Sequence, residues 1–364
     1  MPLAAVLAAW AILELVVRLL GLGPPWVYRF DPLLGSHGRE LAEFVWTREG
    51  RTRVCLNTRG FREREIRGPC PAGVTRVAVL GDSFVEAFQV EPDQMVTRRL
   101  EQLLARGPGR AVQVLGFGCS SWGTAQESLL LDEVLGYGPS TVLLFFTLAN
   151  DVRNNSAELE PVGRRPFFRL DGAGLTLVPV GEPTWLERWM PVLGRSQAAR
   201  LVLERLSVLR QSAFLASRAR QSACDPAEEV FLASPGKVWE EAWEVTARLL
   251  RRMREGLGQR GVRLVVVPVT PWQVVYPAVW QERLRERPGC PPEAYDVAAP
   301  EARLARLCAR EGVELLSPTA DLVQAAGRPG ELLYLAHVGH WSPAGHAVVA
   351  AAIARGLGSL GPMR

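Results

Sequence analysis

From Val74 onward, short runs of β-branched and aromatic residues alternate with longer stretches at helical spacing, and this rhythm limits the possible folds more than any other feature. VTRVAVL (Val74–Leu80), AVQVLGF (Ala111–Phe117) and STVLLFFT (Ser140–Thr147) are nearly continuous apolar runs, as strands covered on both faces require. Helices are predicted between them, near Asp93–Ala105 and Thr124–Leu135. The rhythm resumes with a long helix near Val238–Gly258 and the strand VRLVVVPV (Val262–Val269). It continues with a helix near Ala299–Glu311, the short strand VELL (Val313–Leu316) and a closing helix over about Pro343–Leu357. Strands alternating with helices predict an α/β protein, with a parallel sheet between two layers of helices. The 364 residues, 48% of them hydrophobic, can bury one large core with elaborations.

Three regions break the rhythm. Residues 152–235 contain a predicted hairpin around Asp171-Gly172 and an arginine-rich helical part from Ser196 to Arg220, expected as an insertion over the working end of the sheet. Residues 23–73 open with a Gly-Pro-Pro break and are polar and turn-rich, with a strand and turn in VCLNTRGFRERE; we expect a lead-in outside the core. The amino terminus is apolar from Leu3 to Leu22 except for Glu14 and Arg18, four apart and able to pair on one helical face. Its length suits a bilayer span, and it lacks the basic start and small-x-small site of a cleaved leader. An uncleaved membrane anchor over residues 1–22 is the expectation. A buried or interfacial helix is the alternative, because charges inside a span are costly.

The net charge of +4 is carried by arginine, Lys237 being the only lysine. The arginines are interleaved with glutamates and form no basic block, so a nucleic-acid surface is not expected. The six cysteines show no CxxC spacing, which disfavours a zinc ribbon. Cys55 and Cys70 flank a short loop and could pair in an exported chain, although unpaired packing fits as well.

In an open parallel sheet the working residues lie beyond the carboxyl ends of the strands. The first strand is followed by Gly81-Asp82-Ser83-Phe84, where a tight strand-to-helix turn would expose the Ser83 hydroxyl and aim its amide at the same space. A plain helix cap would use the same residues. The second strand leads into the small-residue loop Gly116–Gln126, and the third into LANDVRNN, where Asn150 offers a carboxamide donor or simply a turn. Three of the four histidines then fall within HVGHWSPAGH, His337–His346.

These four blocks, in this order and in these places, resemble the SGNH or GDSL hydrolase superfamily. The blocks are GDSF, GFGCSSWGT, AND and HVGHWSPAGH, and the resemblance spans about Val74–Leu357 apart from the insertion. FDPLLG and NTRGFRERE resemble the lead-in of membrane-anchored bacterial members. The resemblance implies a flavodoxin-like three-layer sandwich with a helical insertion and an N-terminal hydrophobic helix, over a hydrolase-like domain at 74–358. It implies Ser83 as nucleophile, His340 as general base, and an oxyanion hole made by the Ser83 amide, a second-loop amide and the Asn150 side chain.

The implied activity is that of a serine esterase or O-acyl hydrolase without a cofactor or metal, acting on an acyl ester such as an acetylated carbohydrate. The implied location is the cell membrane, with the domain in the periplasm or outside the cell. An O-acyltransferase of envelope polysaccharide and a catalytically impaired binding module are the alternatives. His346 is expected to cap or pack on the last helix. A metal site from His337, His340 and His346 would lack a carboxylate or thiolate partner nearby.

Two positions depart from the family. Ser121 stands where it has a glycine, which disfavours a positive φ there; Gly118 and Gly123 are the other candidates for the loop donor. Val338 and His337 stand where the family has the acid that orients the histidine. A backbone carbonyl or a distant acid must then hold His340, or catalysis is impaired.

Overall fold

The structure is a computed structural model that describes residues 2–66, 68–106, 111–160, 163–172, 174–219, 224–225, 228–286, 291–330, 332–335 and 339–359. Helix α1 (Pro2–Leu19) precedes two antiparallel hairpins, β1 (Tyr28–Asp31) with β2 (Gly35–Gly38), and β3 (Glu43–Trp46) with β4 (Thr52–Cys55). The sheet begins with β5 (Val74–Gly81), followed by α2 (Ser83–Glu86), α3 (Val96–Leu104), β6 (Ala111–Gly118), α4 (Thr124–Leu129), α5 (Leu131–Leu135), β7 (Thr141–Thr147) and α6 (Asp151–Asn154). The insertion supplies the hairpin β8 (Phe167–Asp171) with β9 (Gly174–Val178) and the helices α7 (Trp185–Leu193) and α8 (Gln197–Ala219). The chain ends with α9 (Lys237–Gly258), β10 (Arg263–Val269), α10 (Trp272–Val275), α11 (Pro277–Arg285), α12 (Ala299–Glu311), β11 (Glu314–Leu315), α13 (Thr319–Ala326) and α14 (Pro343–Ser359).

Five strands form one parallel sheet in the order β11-β10-β7-β5-β6. Within this sheet the chain order 5-4-3-1-2 is the flavodoxin-like doubly wound topology, whose direction of winding reverses between β5 and β7. Strand periodicity sends alternate side chains to opposite faces. Val77, Val79, Leu143, Phe145, Val265 and Val267 pack with α3, α13 and α14 in one core. Ala78, Leu80, Val142, Leu144, Phe146 and Val266 pack with α5, α9 and α12 in the other. The expected α/β layering is therefore present, with helices on both sides of the sheet.

The structure differs from expectation in four places. The helix expected over Thr124–Leu135 is two helices, because the chain is recapped at Leu130. The lead-in lies within the core: Leu34 and Phe61 join the larger core cluster, and Val27, Ala42, Val54 and Leu56 form a small one with Phe88. Strands of four residues hold too few alternations to announce themselves, although β4 does bury Thr52 and Val54 and expose Arg53 and Cys55. Cys55 and Cys70 are free thiols, so the disulfide considered between them is absent.

The fourth difference concerns α1. Among the described residues no helix is long and apolar enough to cross a membrane. Instead α1 adjoins α8 through Glu14, which accepts bonds from Ser196 Oγ (2.7 Å), the amides of Gln197 (3.0 Å) and Ala198 (2.8 Å), and Arg18 Nε (2.6 Å). A carboxylate at the start of α8 satisfies amides that the helix cannot satisfy itself. The Ala198 amide foremost, together with the other donors, holds the Glu14 pKa down to about 2 against the effect of burial.

Candidate active site

The site grows from the turn after β5. Asp82 caps α2 by accepting the Phe84 amide on Oδ1 (3.0 Å), which fixes Ser83 as the first residue of the helix. Gly81 is required by close packing, since a Cβ there would lie 2.6 Å from Val85 Cγ2. The Ser83 hydroxyl is thereby held above the sheet, 2.8 Å from Nε2 of His340.

His340 arrives from the segment before α14. Gly339 has φ +78°, and a Cβ there would lie 3.0 Å from Trp272 Cδ1, so both the conformation and the space favour glycine. The Phe84 ring packs edge-on against both the His340 imidazole (centroids 5.1 Å apart) and Trp341 (4.8 Å), limiting the tilt of the ring.

The acid missing before His340 comes from the lead-in. The turn between β3 and β4 delivers Glu49, whose two carboxylate oxygens lie 2.9 and 3.0 Å from His340 Nδ1. Its side chain is 5% exposed, so solvent screens the pair weakly. With Nδ1–H donating to a carboxylate, Nε2 carries the lone pair that faces the Ser83 hydroxyl. Burial presses the His340 pKa down, but the bond to Glu49 and the charges of Glu49, Asp82 and Glu86 outweigh it, and the net shift is upward.

Beside Ser83 and His340 lies a cavity of about 250 Å³, walled by the segments that follow β5, β7 and β10 and by residues of the insertion. Asn150 lines it. One Nδ2 hydrogen of Asn150 donates to Asp82 Oδ2 (3.0 Å), which leaves the amide group a second hydrogen to offer. Asn150 also stands at the start of α6, where its backbone carbonyl accepts the Asn154 amide (2.8 Å).

The second loop is arranged otherwise than expected. Gly118 ends β6 beside Gly81, and a Cβ there would meet the Glu86 amide at 2.5 Å, so this glycine serves the packing of α2 on the strand. Ser121 adopts φ +67°, against the expectation that a serine would avoid a positive φ there, and its carbonyl accepts from Arg165 Nη1 (3.0 Å). Neither Gly118 nor Ser121 is among the described residues lining the cavity. The loop is held from behind by Glu86, which accepts from the Ser120 amide (3.1 Å), the Ser120 hydroxyl and Tyr28 Oη (2.8 Å). Burial raises the Glu86 pKa to about 7.

The other histidines play different parts. His346 is buried in α14 and accepts the Val96 amide at the start of α3 on Nδ1 (3.2 Å), while burial above all lowers its pKa to about 3. It is a neutral packing and capping residue. His337 and Val338 lie outside the described residues. Among the described residues no group of three or more potential ligands could hold a metal ion.

Sequence reasoning missed Glu49. Its only signal was the vacancy before His340, which left room for a distant acid, among other partners, without saying which.

The sequence matches no protein-family model, and a search of curated proteins finds no match. Solved structures are similar. One is a putative lipolytic protein of the G-D-S-L family from Desulfitobacterium hafniense, at 11% identity and TM-score 0.40, covering 77% of this chain and 98% of that one. Another is an acetylxylan esterase from Geobacillus stearothermophilus, a catalytic mutant, at 12% identity and TM-score 0.42, covering 81% and 97%. A third is LAE5, an α/β hydrolase enzyme from the metagenome of Lake Arreo, at 12% identity and TM-score 0.43, covering 79% and 97%.

Proposed function

We propose that this chain is a serine carboxylic-ester hydrolase of the SGNH/GDSL kind, with Ser83 as nucleophile, His340 as general base and Glu49 as the acid of the triad. The observation that carries the proposal is the continuous chain of contacts Ser83 Oγ to His340 Nε2 (2.8 Å) and His340 Nδ1 to Glu49 (2.9 Å). Its members come from three distant parts of the sequence. The Ser83 oxygen attacks the ester carbonyl while its proton passes to Nε2. The tetrahedral oxyanion accepts hydrogen bonds from the Ser83 amide and the free Asn150 N–H. Collapse expels the alcohol, which takes the proton from Nε2, and water repeats the sequence to release the acid. Removing one such donor typically costs about 3 to 4 kcal/mol of transition-state stabilisation.

A fluorophosphonate probe tests the assignment. Intact protein is expected to be labelled at one serine, with labelling abolished in Ser83→Ala and strongly slowed in His340→Ala. Labelling that survives Ser83→Ala would refute it.

The reading extends to α1. Its side chains from Leu3 to Leu13 are exposed around the helix, and Trp185 and Trp189 of α7 and Leu206 and Leu209 of α8 are exposed as well. A helix apolar all round calls for an apolar environment, and we assign it a seat in a lipid surface.

A further inference from the structure

The second loop contains a turn that its own sequence does not favour. Trp122 donates its amide to the Cys119 carbonyl (3.1 Å), which closes a four-residue turn with Ser120 and Ser121 at its centre. Of these two only Ser121 has a positive φ, +67°, as the third position of a type II turn requires, and glycine is the residue which that position favours. A serine in this conformation is strained, and such strain persists only where the surroundings enforce it. Two side chains bond the central residues. On one side Glu86 Oε2 accepts the Ser120 amide (3.1 Å) and the Ser120 hydroxyl. On the other, Arg165 Nη1 donates to the Ser121 carbonyl (3.0 Å).

Arg165 belongs to the insertion and is itself set in place. Its neighbour Arg164 pairs with Glu187 of α7 and donates to the carbonyls of Val180 (3.0 Å) and Glu182 (2.6 Å). The lead-in packs against the backbone of both arginines: a Cβ at Gly35 would lie 2.1 Å from the Arg164 carbonyl oxygen and 2.8 Å from Arg165 Cα. The backbone is thus fixed on two sides before the Arg165 side chain reaches the turn.

The turn bears on the reaction through its amides. It leaves the sheet beside the nucleophile turn, since Gly118 pairs with Gly81 and the Cys119 amide donates to the Gly81 carbonyl (3.3 Å). The amides of Cys119, Ser120 and Trp122 are all engaged, and that of Gly123 donates to Gln126 Oε1 (3.2 Å). The Ser121 amide alone in this stretch has no partner among the described residues. We infer that Arg165 is a positioning residue of the hydrolase, which keeps the turn in the conformation that leaves the Ser121 amide free. The inference rests on the hydrolase reading, in which an amide of this loop completes the oxyanion hole. It makes the insertion, which supplies no member of the triad, a determinant of the rate.

Turnover of 4-nitrophenyl acetate and hydrogen exchange of the loop test this on the full chain. Arg165→Met keeps much of the side chain's length and removes the donor. It is expected to lower kcat about tenfold and to change KM by less than about twofold, because an oxyanion donor acts on charge that develops only in the transition state. Exchange at the Trp122 amide, which closes the turn, is expected to quicken about tenfold in the same variant. Ser121→Gly supplies the residue that the turn favours, so adding it to Arg165→Met is expected to recover most of both losses, and a double-mutant cycle reads that coupling.

An unchanged kcat in Arg165→Met overturns the positioning role, and so does a loss that Ser121→Gly does not recover. A change confined to KM overturns it as well, since Arg165 would then be a substrate contact. No turnover by the intact protein, with exchange at Trp122 still governed by Arg165 and relieved by Ser121→Gly, keeps Arg165 as the holder of the turn and refutes the hydrolase. Turnover that Arg165→Met leaves intact does the reverse.

Discussion

Glu49 lies 291 positions from His340, in a turn whose sequence, Thr47-Arg48-Glu49-Gly50, resembles many others in a chain with 38 acidic residues. Ser83, Asn150 and His340 were legible because each follows a recognisable strand or opens a recognisable helix. Glu49 was not, because its place depends on a hairpin packing against the far end of the fold. Its contribution can be measured. His340 must be neutral to accept the Ser83 proton, and its pKa lies above the ordinary histidine value, chiefly through Glu49 acting against burial. The acid limb of kcat/KM is therefore expected to have its midpoint above about 6.5. In Glu49→Gln that limb should move to lower pH, because burial then acts with less opposition. The maximal rate should fall by about 10² to 10⁴, as when the orienting acid of a serine protease is replaced. A pH profile with 4-nitrophenyl acetate reads both quantities. An unmoved limb in a folded variant would show that Glu49 does not hold the imidazole.

Among elements, β5, β6, β7 and β10 were readable because each is a run of seven or eight mostly apolar residues, whereas the four-residue strands of the lead-in carry almost no periodic signal. Ser121 illustrates a second limit. Its side chain argued against a positive φ, yet the loop imposes φ +67° on it between the anchored Ser120 and Trp122. A third feature was invisible from sequence: Glu127 of α4 and Asp151 of α6 are both fully buried. Neither Glu127 oxygen has a hydrogen-bond partner among the described residues, and Asp151 engages only Oδ2, with the Thr147 amide (2.9 Å). Burial foremost, with repulsion from Asp82 on both and from Glu127 on Asp151, raises both pKa values well above the ordinary carboxylate range.

The sign follows directly. Protons are held more tightly in the folded state, so the stability tied to them is complete below the unfolded carboxylate range and is lost as pH rises through the folded values. Melting temperature is therefore expected to fall as pH is raised from 5 to 9. Glu127→Gln removes one ionisation and should flatten the slope, raising the alkaline melting temperature by about 2 to 4 °C for each kcal/mol recovered. Parallel slopes for the two proteins in thermal melts would count against this account.

At the scale of the molecule, the chain divides its apolar surface unevenly: the sheet is covered on both faces, while α1 leaves Leu3, Val6 and Leu7 more than 60% exposed. Burying such a side chain contributes about 1.5 to 3 kcal/mol, so several together exceed the cost of settling a helix on lipid. The two charges that made a full span costly are already engaged: Glu14 caps α8, and Arg18 bonds Glu14 and the Arg195 carbonyl (3.0 Å). Both would therefore stay with the folded domain while the first three turns of α1 entered the lipid. Sedimentation with vesicles of phosphatidylethanolamine and phosphatidylglycerol checks this. The full chain should pellet with the vesicles, and a Leu7→Glu/Trp10→Glu variant should remain in the supernatant. Leu7 is 62% and Trp10 42% exposed, so the change removes little folded-state burial and leaves Glu14 on α8. Self-association in ultracentrifugation without vesicle binding would mean that a second copy, not lipid, covers the helix.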